Sequence, residues 1–315
     1  MLGILQVILL LVPEAVDWRG VGAIVQVITA ADIPSLLVIV GILHILEGML
    51  TGLQGVRMAS PLFYEGKRGQ IIGGYQLQGF WPVPLFLLIP MQGGSSDLIP
   101  WGTLFNTSYA AGWSILAFPV MIGFTELTMS RLPREKTSWS ARMLMLYGLI
   151  ILLMAVLAQW WTPFILVAAL CSIGLHEALI AYSSWMEARQ SPLYVHSNRG
   201  LMVLGIVPNS PAADLGIQIG EIIHKVNGYK VLTKTDLHHA MQLHSAFCKL
   251  EVVNLQGEIK FLQRAIYNGE HHQLGIILAP DQHAMYVLAL RPLHLFTYLR
   301  NKITGVLTNQ SGRPM

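Results

Sequence analysis

Along residues 1–185 apolar positions come in long unbroken blocks, and along residues 186–315 they come in short alternating or helically spaced runs. A helix that crosses a bilayer needs about 20 mostly apolar residues. Stretches 33–53, 101–128, 143–158 and 162–182 meet that requirement. Stretch 73–91 has nearly the length but contains Pro82, Pro84 and Pro90, so it predicts a kinked or partly re-entrant span. Stretch 1–12 is apolar and short, and a first span is expected to run on toward Ala30. Its leading residues carry no Lys or Arg, and Pro13, Glu14 and Asp17 follow it, which argues against a cleaved leader. The pattern predicts about six spans.

Beyond residue 190 the periods change. Residues 201–207 read as a buried strand, and Pro208 to Pro211 as a turn in which Ser210 caps a short helix that starts at Pro211 and ends by Gly216. Residues 222–226 form a second strand, closed by the Asn227–Gly228 turn. Over 233–244, Leu237, Ala240, Met241 and His244 share one helical face. Strands are expected at 250–255 and 259–264, joined around Gln256 and Gly257, and a last one at 274–278.

Composition sharpens the division. The chain has 315 residues, 53% hydrophobic and 12% charged, with a mean hydropathy of +0.53. A soluble globular chain carries about 25% charged residues. The net charge of +3 gives no reason to expect a polyanionic partner such as nucleic acid. Cys171 and Cys248 stand far apart, which excludes a disulfide framework and disfavours a thiolate metal site. The loops after the second expected span and around 130–142 carry Arg57, Lys67, Arg68, Arg131, Arg134, Lys136 and Arg142, whereas the other side carries only Arg19. By the positive-inside rule both termini, and the polar C-terminal part, face the cytoplasm of a multi-pass plasma-membrane protein.

Ionisable residues at bilayer depth cost roughly 2.5–3.5 kcal/mol each on insertion scales, so each needs a reason. His44 and Glu47 lie three apart on one helical face; His176 and Glu177 are adjacent and point apart. These four are the candidate intramembrane polar residues. They fit either interhelical hydrogen bonds or a metal or proton site. His176-Glu177 also begins an H-E-x-x-H pattern, the arrangement that puts two zinc ligands on one helix face with Glu as base, but its fifth position is Ile180. No catalytic residue, metal ligand or cofactor follows. The histidines at 238, 239, 244, 271 and 272 read as a solvated face.

The run from Gly200 to Gly228, with its strand, Ser-Pro-Ala-Ala helix start, Gly220-Glu221 strand opening and Val-Asn-Gly turn, resembles a bacterial PDZ domain. The resemblance covers 190–280, with Glu221 where that family usually has Asp. It implies a permuted, partly open β-barrel with two helices. In it Leu274, Gly275 and Ile276 would form the carboxylate-binding loop, Ile277 and Leu278 would continue the peptide-pairing edge, and Leu237 and Met241 would line the side-chain pocket. A sheet edge offers free N–H and C=O groups to an extended peptide. The edge could equally be covered by the chain's own 281–315 segment, whose apolar-aromatic part 285–299 has the composition of a membrane-surface helix and whose end 303–315 reads as disordered.

A multi-span part followed by such a domain resembles the MinJ-type cell-division proteins of Gram-positive bacteria. That resemblance implies a non-enzymatic membrane adaptor with division-site proteins as candidate partners; membrane lipids follow from the apolar spans, and a further copy of the chain is another candidate partner. Three parts are expected: a polytopic helical part (1–185), a PDZ-like part (190–280) and an amphipathic or flexible tail (281–315). An inactive or divergent site-2-type protease and an ion-coupled transporter using His44, Glu47 and His176 are the alternatives.

Overall fold

A computed structural model describes residues 32–66, 69–95, 113–161, 163–195, 198–243, 247–265 and 274–281. The expected first span and the tail beyond 281 lie outside these, as do His244, His271 and His272. Among the described residues three helices are long and apolar enough to cross a membrane: α1 (Ile33–Gln54), α2 (Pro133–Trp160) and α3 (Phe164–Arg189). Asp32 caps α1 through the Ser35 N–H, and Pro133 opens α2 where its missing donor costs nothing. α1 and α2 run antiparallel in close contact at their glycines. A Cβ on Gly41 would lie 2.9 Å from the Gly148 carbonyl oxygen, and one on Gly148 would lie 2.7 Å from that of Gly41. Small residues let backbones approach in this way where lipid supplies no hydrophobic drive.

The segment between these helices corrects the span count. Within the described residues, 73–91 and the part of 101–128 from Trp113 onward are strands, so the expected two extra helical spans are not there. β1 (Ala59–Glu65), β2 (Ile71–Ser95) and β3 (Trp113–Thr128) form an antiparallel sheet in that order. Three prolines within nine residues of β2 would each break a helical hydrogen bond, and the strand absorbs them. Pro84 stands opposite Pro119 in the ladder. Two prolines cannot exchange N–H bonds, so this is a non-hydrogen-bonded pair. Pro82 and Pro90 share its parity, so all three β2 prolines turn their missing N–H toward the open edge. The opposite parity is confirmed at Gly73, whose N–H bonds to Tyr194 on the β3 side.

The C-terminal part is a six-stranded sheet with two short helices: β4 (Leu201–Ile206), α4 (Pro211–Asp214), β5 (Ile222–Val226), β6 (Tyr229–Lys230), α5 (Lys234–Gln242), β7 (Phe247–Val253), β8 (Ile259–Ala265) and β9 (Ile276–Leu278). The order β8-β7-β5-β4-β9, with β6 on β5, leaves β8 and β9 as edges. Among the described residues no pairing closes the expected partly open barrel between β8 and β9, and β9, only three residues long, pairs with β4 alone. Val203, Ile223, Val226, Val231, Leu250 and Val252 are fully enclosed at its core.

A second apolar cluster joins the two halves. Tyr75, Leu77, Trp81, Ile122 and Phe124 of the ribbon pack with Leu144 of α2, Tyr194 and Leu204 of β4. Beneath it lies a polar joint. Lys136, 3% exposed, reaches Glu126 at 3.4 Å and donates to Ser183 Oγ at 2.7 Å. Ser183 in turn donates to Glu126 at 2.9 Å. Glu187 accepts from the Met129 and Ser130 N–H groups, closing the turn from β3 into α2.

Candidate functional site

The candidate site is built on β9 and the loop before it. Gly275 sits at φ +75, and a Cβ there would lie 2.2 Å from the Ser210 Cβ. Glycine is therefore required twice, for the left-handed backbone and for the close approach to the cap of α4. The loop's carbonyls are committed inward: Gly275 O accepts from the Val207 N–H at 2.8 Å and Leu274 O from the Ala212 N–H at 2.9 Å. Among the described residues the N–H groups of Leu274 and Gly275 have no partner. Ala279 N–H bonds to Met202 O on β4. By strand alternation the N–H and C=O of Leu278 point to the open side.

A hollow of about 420 Å³ lies along this edge, between β9 and the start of α5. Ile276, Ile277 and Leu278 form one wall, and Leu232, Thr233 and Lys234 the other. Phe63 of β1 closes one side, a contribution from the membrane-proximal half that sequence reasoning did not anticipate. Leu274, Leu237 and Met241 are buried in the same core cluster against which Ile276 and Leu278 pack, while Ile277 is 36% exposed. α5 is fixed by a capping box: Asp236 N–H donates to Thr233 Oγ1, and Asp236 accepts from the Leu232 and Thr233 N–H groups. Those backbone bonds hold the Asp236 carboxyl below its ordinary range.

Glu221 is buried, its carboxylate shared between Lys260 Nζ at 2.6 Å and the Gln218 N–H at 2.8 Å. Asn227, at φ 52, clamps the neighbouring turn by donating to Ala240 O and accepting from the Lys249 N–H. Neither pairing was visible in sequence, because Lys260 and Lys249 lie on strands far along the chain. Burial pushes the Cys248 thiol up to about 11, so it is neutral and inert.

Within the helices the structure brings His44, Tyr147 and His176 together. The His44 ring lies 4.8 Å from that of Tyr147 and 5.6 Å from that of His176. His44 Nδ1 donates to Val40 O at 2.8 Å, and Tyr147 donates to Ser172 O at 2.6 Å. Glu47 is half-buried one turn further on. Glu177 has a buried oxygen without a partner among the described residues. No group of three His, Cys, Asp or Glu side chains placed to hold a metal ion is present among them.

Comparison with known proteins bears on both halves. Residues 202–254 match the PDZ domain family, which spans β4 to the end of β7. Over 249 residues the chain is 36% identical to the cell division topological determinant MinJ of Bacillus subtilis (strain 168), an alignment covering 79% of this chain. The chain is homologous to MinJ. It spans 62% of the length of that relative. The probable MinJ proteins of Lacticaseibacillus paracasei and of Lacticaseibacillus casei (strain BD-II) are each 24% identical over 285 residues, covering 85% of this chain and 73% of theirs. The MinJ alignments are longer than the PDZ match and must include membrane-proximal sequence as well, because the PDZ match takes up only residues 202–254.

Proposed function

We propose that the chain is a non-enzymatic, multi-pass membrane adaptor of bacterial cell division that recruits protein partners through the edge of its PDZ domain. On this reading residues 1–185 anchor, 190–280 bind, and 281–315 form an appended tail. The Arg and Lys residues around α2's start support a cytoplasmic PDZ domain by the positive-inside rule. The observation that carries the reading is β9: an unpaired edge preceded by a left-handed glycine loop whose carbonyls are tied back, beside a hollow with one apolar wall, Ile276 to Leu278, and one mixed wall, Leu232 to Lys234. An extended peptide pairs with Leu278 and Ile276, its terminal carboxylate meets the Leu274, Gly275 and Ile276 N–H groups, and Ile277 with Leu278 flanks its side chains, over a floor that Leu237 and Met241 support from the core.

The test uses the full chain in nanodiscs, because Leu204 and Met202 pack on the ribbon and an isolated 190–280 would expose that face. A fluorescent peptide ending in a free apolar residue should bind, and amidating its terminus should weaken binding at least tenfold. Equal binding of the two forms would reject the groove. Reporter fusions placed after residue 190 test the orientation separately.

A second reading has one specific observation in its favour, the contact of His44, Tyr147 and His176 inside the bundle. It makes the helices an ion-coupled unit, and proton or cation flux in liposomes should then vanish in Glu47→Gln. The inactive-protease alternative gains no comparable support.

A further inference from the structure

We propose that the β2–β3 ribbon is a re-entrant element that dips into the bilayer from the PDZ side and lies in lipid against the helices. The inference stands apart from the peptide groove, since it uses none of that site's residues.

The ribbon's two ends are chemically different. Its outward face at the base carries Gln76 and Gln78, hydrogen-bonded to each other, with exposed Thr125 opposite Gln78. From Phe80 to Phe86 on β2, and from Met121 back to Ile115 on β3, the same face is apolar. It reads Phe80, Pro82, Pro84 and Phe86 on β2, with Met121, Pro119, Ala117 and Ile115 opposite or beyond. Phe80, Phe86, Ile115 and Met121 are between 57% and 68% exposed. An antiparallel sheet with one face in water alternates apolar-in with polar-out; here both faces are apolar. No charged residue occurs in Ile71–Ser95, and Glu126, at the base, is the sole one in Trp113–Thr128.

The direction of the ribbon follows from contacts taken in order. A side chain at Gly79 would meet Met58, just past the end of α1. Trp81 Nε1 donates to Gln54 Oε1, at the last residue of α1, at 3.0 Å. Glu126 accepts from Ser140, and Ile122, four residues further along the strand, shares a cluster with Leu144. Each step along the ribbon away from the PDZ domain is thus a step down α1 and α2 toward their middles. Leu50, Leu46 and Leu43 of α1 pack against the same cluster, beside Val83 and Val120. The change from Gln78 to Phe80 falls at the level of the helix end, where a headgroup boundary would lie. From Trp81 to Pro90, at 3.3 Å per residue, the strand covers about 30 Å, comparable with the hydrocarbon thickness.

The prolines fit the same solvent. An unpaired strand edge in water donates to solvent, but in lipid each free N–H is unsatisfied. Of the six outward donors on β2 from Phe80 to Pro90, proline removes those at 82, 84 and 90 and leaves those at 80, 86 and 88.

Single probes decide the matter. In the full chain carrying Cys171→Ala, with Cys248 buried and silent, Phe86→Cys and Met121→Cys are labelled with an environment-sensitive fluorophore and reconstituted into phosphatidylcholine–phosphatidylglycerol vesicles. Leu153→Cys on α2 and Phe261→Cys on β8 are the lipid and water references. The Phe86 and Met121 probes should be quenched by acyl-chain nitroxide lipids at least half as strongly as the Leu153 probe. Aqueous iodide should quench them at least fivefold less than the Phe261 probe, whereas a Gln78→Cys probe should remain open to iodide. Iodide quenching equal to that of Phe261 would overturn the proposal. Protection from both quenchers would overturn it too, in favour of burial against a second copy. Two positions on separate strands keep the test valid if one variant misfolds.

Discussion

Gly275 and Gly257 have almost the same backbone, φ +75 and +87, yet different surroundings: a Cβ at Gly275 runs into Ser210, and one at Gly257 meets nothing within 4 Å. Gly257→Ala should therefore cost only the left-handed penalty, about 1–2 kcal/mol. Gly275→Ala should cost more and abolish binding of free-carboxylate peptides; urea unfolding of the full chain in detergent, followed by the peptide assay, checks both. Glu221 offers a second contrast. Lys260→Met leaves its carboxylate buried without its cation and should destabilise by on the order of 3 kcal/mol, while the double change Glu221→Gln with Lys260→Met should recover part of that loss in the same assay. The glycine was legible only through the resemblance carried by residues 200–228, which implied 274–276 as the carboxylate-binding loop. The ion pair was not, since nothing local distinguishes Lys260 from any strand lysine.

At the level of single elements, α5 depends on its capping box. Thr233→Ala should cost about 1 kcal/mol, read as faster amide exchange across Lys234–Gln242. The pH dependence has a definite sign. Asp236 is held below its ordinary value by the Leu232 and Thr233 N–H groups, so its contribution is complete at neutral pH and disappears as the pH falls through that lowered value. Asp236→Asn should flatten the acid limb of the exchange profile. The α1–α2 pair rests instead on Gly41, Gly48 and Gly148. Gly148→Leu would drive a side chain into the Gly41 carbonyl and Ile45, and should lower the detergent melting temperature or abolish the folded form. Here the sequence was a good guide for helices and a poor one for β2 and β3. A continuous apolar run fits a span and a buried strand alike. The three prolines of β2 marked it as irregular without saying which way it would resolve.

The whole molecule is one assembly in which the ribbon touches both the helices and the PDZ domain. Tyr75 meets Tyr194 edge to face at 5.3 Å, and Gly73 lies against Leu204 and Pro280 with no room for a side chain. Glu126, Lys136 and Ser183 lock β3, α2 and α3 beside that contact. Lys136→Met should leave Glu126 half-paired and loosen the joint, raising protease sensitivity around 190–200 while the PDZ core keeps its exchange protection. Phe63 places the ribbon's sheet at the wall of the hollow, so Phe63→Ala is expected to change peptide affinity from outside the PDZ domain, measurable in the nanodisc assay.

The sequence by itself determined the three described helices, the cap at Ser210, the Asn227–Gly228 turn and the strands β4, β5, β7, β8 and β9 in that order, because each is written in a window of a few residues by period, cap or turn chemistry; the two-residue β6 was not among them. Only the tertiary structure decided that 71–95 and 113–128 pair as a ribbon, that His44 meets His176, that Glu221 finds Lys260, and that Phe63 borders the hollow. Each of these depends on a partner distant along the chain, and the free energy of a contact between remote segments leaves no mark on the local pattern of either one.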